Sequence, residues 1–195
     1  MGREPSGEKK RAKGANGRMW EIRAERAGDG AAIDALLDRS FGPGRYAKSA
    51  YRLREGVDPE AGLSFVAIEK GVLRGSVRFW PIIVGTAPAL LLGPLAVESE
   101  QRGRGMGIQL MQKGIDEARM LGHRVIVLVG DPPYYARVGF APIKRGRVHM
   151  PGPVDLSRVL GLMLGDGALE SLEGLVVRAR IDHPVCADGA GLGHA

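Results

Sequence analysis

Leu95-Ala96-Val97-Glu98-Ser99-Glu100-Gln101-Arg102-Gly103-Arg104-Gly105-Met106-Gly107-Ile108 is the stretch whose reading decides the fold. An apolar, strand-like segment ends in a charged turn. The turn becomes a loop with glycine at every second position and two arginines between, and a long amphipathic helix follows. Glycines let a backbone approach a ligand closely and accept unusual dihedrals. A helix N-terminus offers unpaired N–H groups and the positive end of its dipole. Donors, dipole and guanidinium charge thus converge on one point, which is the chemistry of a pyrophosphate site.

Spacing separates the candidate ligands. A nucleotide P-loop ends in Gly-Lys-Ser/Thr, so that a lysine and a hydroxyl reach phosphate and magnesium. Here Gly107 is followed by Ile108 and Gln109. The dinucleotide fingerprint needs a third glycine three residues after the second. Counted from Gly103 and Gly105 that place is Ile108, and the later apolar segment 124–129 runs on to Gly130 with no acidic residue at its end. The loop instead resembles the Gln/Arg-x-x-Gly-x-Gly/Ala loop of the GNAT acetyltransferases. Arg102, Gly105 and Gly107 occupy the fixed positions; Gln101 and Arg104 do not. The competing reading is a tight glycine turn with a solvated basic rim.

A second segment weighs against that reading. Asp131-Pro132-Pro133-Tyr134-Tyr135-Ala136-Arg137-Val138-Gly139-Phe140 resembles the Tyr-x-x-x-Gly-Phe element that follows the fifth GNAT strand. Tyr135 stands four residues before Gly139, and Tyr134 is one residue off. The two elements come in the family's order, separated by a helix and a strand. The likeness spans residues 20–180. It is similar more narrowly to the YhbS-type predicted acetyltransferases, through Gly130-Asp131-Pro132, Pro151-Gly152-Pro153-Val154-Asp155 and Gly167-Ala168-Leu169.

The resemblance implies an α/β (α+β) fold: a central mixed, mostly antiparallel twisted sheet, flanked by helices and splayed between its fourth and fifth strands. It implies acetyl-CoA as co-substrate, and as acceptor a primary amine of a small molecule or protein, attacking directly in a ternary complex. Leu95, Ala96 and Val97 then form the strand edge for the pantetheine arm, with the Val97 N–H near the thioester carbonyl. Arg102, Gly103, Arg104, Gly105, Met106, Gly107 and Ile108 hold the pyrophosphate. Acyl transfer needs a neutral amine, a stabilised oxyanion and a proton for the departing sulfur. Tyr135 is the candidate acid, since a phenol with a reference pKa of about 10 keeps its proton at neutral pH. Glu98, acting directly or through water, and Asp131 are the candidate bases. Many GNAT proteins carry an asparagine several residues before the tyrosine; Leu128 stands there in this chain. The alternative function is a non-catalytic acyl-CoA-binding or regulatory domain.

Composition sets the wider limits. At 195 residues with 44% hydrophobic content, the chain is long enough for one domain with a full core. No apolar run approaches the ~20 residues of a membrane span. The charged N-terminus lacks the apolar stretch of a secretory signal, and the single Cys186 cannot form an internal disulfide, which predicts a cytoplasmic protein. The four histidines have no ligand spacing, so no metal is expected. Of the net charge of +6, residues 1–18 carry +4 (six Lys or Arg against two Glu), leaving an ordinary +2 for the rest. That tail reads as disordered, with at most weak nucleic-acid contact. Met19, placed just before the first strand, allows it to be an upstream extension. Residues 19–181 read as one domain and 182–195 as a flexible tail. The assembly is read as a monomer or homodimer.

Hydrophobic periodicity predicts a strand over residues 20–25 and a helix with Ile33, Leu36 and Leu37 on its apolar stripe, ending near Gly42. A short helix is expected within 46–54, a hairpin over 63–80 and a buried strand over 90–97 with a bulge at Gly93-Pro94. A helix with Ile108, Met111, Ile115 and Ala118 inward stops at Gly122. Its Gly114 costs about 1 kcal/mol relative to Ala unless it packs closely on the sheet. Next come a strand at 124–129, another beginning at Phe140, a helix capped by Asp155 with Leu156, Val159, Leu160 and Met163 inward, and a final strand at 175–180. Phe41, Tyr46, Tyr51 and Trp80 either line the acceptor cleft or fill core, and core is the expectation.

Overall fold

The computed structural model describes residues 20–42, 49–167 and 169–179. The readings of both tails, Met19, Tyr46 and Cys186 fall outside these. Strand β1 (Trp20–Ala24) leads through a 3-10 turn into helix α1 (Gly30–Phe41), and helix α2 (Ser49–Arg52) follows. Strands β2 (Ser64–Glu69), β3 (Val72–Val84) and β4 (Ala87–Val97) form an antiparallel meander, joined by turns at Lys70-Gly71 and Gly85. Helix α3 (Met106–Met120) crosses back to strand β5 (Val125–Val129). Then come the single-turn helix α4 (Pro132–Tyr135) and the short strands β6 (Ala141–Pro142) and β7 (Val148–His149). Strands β8 (Val159–Met163) and β9 (Gly174–Arg178) complete the chain.

The sheet runs β1-β2-β3-β4-β5-β8-β6, with β9 pairing β3 and β7. Every pairing is antiparallel except β4–β5 and β7–β9. Helices cover both faces, as strand alternation requires. Phe65 and Ala67 of β2 join the core under α3, while Val66 between them packs with Ile33, Leu36 and Leu37 of α1. This is the mixed, mostly antiparallel sheet that the family resemblance implied.

Two features of β4 position the site. Opposite β3 the register steps from Val77↔Leu95 to Phe79↔Leu92, leaving the two residues Gly93 and Pro94 across from the single Arg78. The expected bulge is there, and the Trp80 Nε1–H donates to the Gly93 carbonyl at 2.6 Å. On the other edge, β4 meets β5 only at Leu90↔Ile126 and Leu91↔Val127. Past Leu91 the two strands separate, while β5 stays paired with β8 along all five of its residues. The sheet therefore splays where β4 turns toward the glycine loop.

One expected element takes another form. Asp155 does cap, its carboxylate accepting from the Ser157 N–H at 2.9 Å. Only the 3-10 turn Leu156–Arg158 follows, and residues 159–163 are strand β8 rather than helix. Leu156, Val159, Leu160 and Met163 mimic helical spacing. The buried β5 needs an antiparallel neighbour on its far side, and that tertiary pairing outweighs local periodicity.

Gly114 has its explanation in packing. A Cβ there would strike the ring of Phe79, which is fully buried in the same cluster as Leu110 and Ile115. Gly114→Ala, favoured by helix propensity alone, is therefore expected to destabilise the fold by about 1–3 kcal/mol through overpacking. Urea unfolding monitored by circular dichroism measures this; a variant as stable as the parent would show that Phe79 yields freely.

Candidate active site

The loop after β4 is built on a clamp. The 3-10 turn Ser99–Gln101 carries Gln101 inward, where its side-chain amide donates to Glu69 at 2.8 Å. Arg104 donates to the other Glu69 oxygen at 3.1 Å and to the Gln101 side-chain carbonyl, and its guanidinium lies 5.2 Å from the Trp20 ring centroid. Trp20 in turn donates to Gln109 of α3 at 2.8 Å. The loop is thereby fixed to the last residue of β2 and the first of β1. Gly103 and Gly105 take positive φ of 76° and 88°, and α3 starts from Gly105 with no side-chain cap. The first N–H groups of a helix have no partner within it, so Met106, Gly107 and Ile108 present theirs to the cavity that they line.

The strand edge follows from register. The Glu98 N–H donates to the Arg74 carbonyl at 2.9 Å. In an antiparallel ladder such bonded pairs alternate with non-bonded ones. Ser76↔Ala96 is therefore the next bonded pair, and Val97 and Leu95, opposite Gly75 and Val77, aim their N–H and C=O groups away from β3. They face the gap vacated by β5. The Val97 carbonyl there accepts a long bond from Arg102 Nε at 3.4 Å.

Two cavities meet at this point. One, of about 400 Å³, is lined by Leu95, Ala96, Val97, Arg102 and the first turn of α3. The other, of about 1260 Å³, opens between α1, α2, the β4 bulge and the end of β5. Phe41, Leu95, Arg102, Tyr134 and Tyr135 line both. The tyrosines come from α4, whose N-terminal prolines start the turn and whose Tyr134 and Tyr135 N–H groups both bond the Asp131 carbonyl. Their rings stand edge to face, 5.2 Å between centroids. Two glycines leave room for them: a Cβ on Gly130 would strike the Tyr135 ring, and one on Gly107 the Tyr134 hydroxyl. Burial pushes the Tyr135 hydroxyl up to about 12, with Tyr134 adding to the rise and Arg158 and Arg54 opposing it. Burial raises Tyr134 as well.

Residues 31–141 match the Acetyltransferase (GNAT) family. The chain belongs to that family. It is 36% identical over 158 residues to the uncharacterized N-acetyltransferase YhbS of Escherichia coli K12, covering 80% of this chain and 93% of that protein. The crystal structure of E. coli YhbS in complex with CoA superposes with a TM-score of 0.70 at 34% identity, covering 83% of this chain and 90% of that one. A GNAT family acetyltransferase from Brucella melitensis in complex with acetyl-CoA gives 0.62 at 27% identity, with 82% and 96% covered.

Within this GNAT domain, most residues singled out in the sequence come together around the smaller cavity: Leu95, Ala96, Val97, Arg102, Gly103, Gly105, Met106, Gly107, Ile108 and Tyr135. Two do not. Arg104 lines neither cavity, because Glu69 and Trp20 hold it behind the loop. Glu98 also lines neither, and its carboxylate accepts from Arg39 of α1 at 2.6 Å. Asp131, the other candidate base, lines the larger cavity beside Tyr135. Of the two places open to them, Phe41 and Tyr51 take the cavity wall rather than the preferred core, and Trp80 is both buried and a wall. Sequence reasoning missed Arg54, a cavity-lining arginine outside both motifs. It set Tyr134 aside on spacing, although the doubled tyrosine was itself a signal. No group of three or more potential metal ligands occurs among the described residues, and none of their helices is long and apolar enough to cross a membrane.

The tyrosine environment sets a pH dependence. Because the folded Tyr135 value lies above the ordinary one of about 10, its stabilising contribution is complete below that pH and is lost as pH climbs toward about 12. A phenolate absorbance titration should contain a component with a folded midpoint near 12 that is absent from Tyr135→Phe. A full set of ordinary midpoints in the parent protein would place the hydroxyl in solvent instead.

Proposed function

We propose that the chain transfers the acetyl group of acetyl-CoA to a primary amine by direct attack in a ternary complex. The observation that carries this reading is the meeting of the two cavities at Leu95 and Tyr135. One chamber has the donors that a pyrophosphate and a pantetheine arm need; the other is separate and wide enough for an acceptor. The CoA and acetyl-CoA bound in the two structural relatives support the donor assignment.

The residues divide the work as follows. The uncapped N–H groups at the start of α3 and the Arg102 guanidinium hold the pyrophosphate, with bonds strengthened by charge. The Leu95 and Val97 edge pairs with the pantetheine amides as another strand would. The Val97 N–H receives the oxygen that gains charge when the amine attacks the thioester carbon. The carbon–nitrogen bond forms, the carbon–sulfur bond breaks, Tyr135 gives its proton to the departing sulfur, and the proton shed by the acylated nitrogen restores the phenol. Its raised pKa keeps that proton in place at neutral pH. The ammonium must lose a proton first. Asp131, on the acceptor side, takes it through water, whereas Glu98 is turned toward Arg39. No cysteine is present among the described residues, and no covalent acyl-enzyme is invoked.

Three variants separate these roles. Tyr135→Phe is expected to lower kcat by roughly 10²–10⁴-fold while CoA affinity by calorimetry stays within about twofold. Arg102→Ala should weaken CoA binding by about tenfold, the worth of one charge-assisted bond, and Arg104→Ala should not. Thiol release with an amine panel gives the rates. A Tyr135→Phe variant with near-parental turnover removes the acid role. CoA binding without acetyl transfer to any amine favours the alternative of a non-catalytic acyl-CoA-binding domain.

A further inference from the structure

Among the described residues, no hydrogen bond or ion pair engages the Arg54 guanidinium. It lies in the turn after α2, its N–H bonded to the Tyr51 carbonyl at 2.9 Å, and its side chain reaches into the larger cavity. Its Nε is sealed from solvent with no hydrogen-bond acceptor. The guanidinium sits 6.0 Å from the Trp80 ring centroid. One terminal nitrogen lies 3.2 Å from where a Cβ on Gly93 would stand, so the bulge glycine, at φ +124°, makes its seat. The other arginines lining the cavity are engaged. Arg78 forks onto Glu25 at 2.8 and 2.5 Å, Arg158 donates to the Gly130 carbonyl at 3.2 Å, and Arg102 faces the Val97 carbonyl. No carboxylate among the described residues forms an ion pair with Arg54. Burial brings it down to about 10, still charged at neutral pH, and the groups opposing that fall are the phenols of Tyr51 and Tyr135. A desolvated cation without a counter-ion is unfavourable in a folded chain, and such groups concentrate at functional sites.

We infer that Arg54 anchors a carboxylate carried by the acceptor, so that the cavity selects small amines bearing a carboxylate, of which amino acids are the simplest class. The guanidinium fork matches a carboxylate in shape and charge. Arg54 and Tyr135 line the same cavity, so anchor and transfer point share one chamber and the acceptor carries amine and carboxylate on one small molecule. Asp34, Asp38, Asp131 and Asp155 also line the cavity. Their charge attracts the ammonium and disfavours a phosphate dianion, leaving a monoanion as the better occupant. The inference deepens the acetyl-transfer reading and rests on it for the identity of the amine.

The test compares matched pairs differing only in the carboxylate: phenylalanine with 2-phenylethylamine, and methionine with 3-(methylthio)propylamine. O-phosphoethanolamine against ethanolamine is the phosphate arm. Calorimetry on the full chain loaded with CoA should show the carboxylated member of a pair binding about tenfold to a hundredfold more tightly. Arg54→Gln should bring the pair within about twofold and leave CoA affinity unchanged. The parental comparison needs no substitution and so decides even where Arg54→Gln folds poorly. Equal affinities within each pair, no measurable binding of either amino acid at millimolar concentration, preference for the phosphate alone, or a preference that survives Arg54→Gln overturns the inference. Thiol release from acetyl-CoA with the same compounds separates the two claims. A carboxylate preference in binding without thiol release upholds the anchor and refutes acetyl transfer to these amines. Transfer to both members at equal kcat/KM refutes only the anchor.

Discussion

The parting of β4 from β5 after Leu91 is the constraint on which the rest of the structure depends. A buried parallel pair normally continues, because each unpaired N–H or C=O away from water costs free energy. Here β5 keeps its full antiparallel pairing with β8, and β4 is bent by the Gly93-Pro94 bulge. The result is a strand edge inside the domain, with the Leu95 and Val97 backbone groups open to a ligand. A second chain or an exposed edge would serve pairing equally well but would also invite aggregation. An edge enclosed between Tyr134, Tyr135 and the start of α3 avoids that.

The clamp on Glu69 makes the edge useful. Gln101 and Arg104 each bond one of its oxygens, so the loop between β4 and α3 is tied to the sheet rather than left to the ligand to order. Preorganisation of this kind lowers the entropic cost of binding. The loop's two arginines thus have opposite duties: Arg104 fixes the loop from behind, and Arg102 faces both cavities. The same division appears across the larger cavity, where Arg78 and Arg158 hold the protein together and the Arg54 Nε has no acceptor.

Local chemistry was legible wherever one segment held all the information. The glycine spacing identified the loop, Gly93-Pro94 announced its bulge, and Tyr135 was placed by its distance from Gly139. The helix over Gly30–Phe41 and the long helix after the loop followed from their apolar stripes. What the sequence did not show needed partners distant in sequence. Residues 156–163 have helical spacing, yet become strand because β5 requires a neighbour. Arg104 and Glu98 belong to the right segment, but Glu69 and Arg39 turn them elsewhere. Phe41, Tyr51 and Arg54 line the larger cavity only because α1 and α2 are carried over the β4 bulge, an arrangement with no motif of its own. Gly114 lies between: its oddity was visible, and its cause, the Phe79 ring from another strand, was not.

Residue-resolved amide hydrogen exchange with and without CoA tests the central claim most directly, that the open edge of β4 is the donor-binding surface. The amides of Leu95 and Val97 should exchange quickly in the free protein and become protected on CoA binding, together with those of Gly107 and Ile108, while Ala96, paired to β3, changes little. Protection that leaves Leu95 and Val97 unchanged and arises elsewhere would contradict the account.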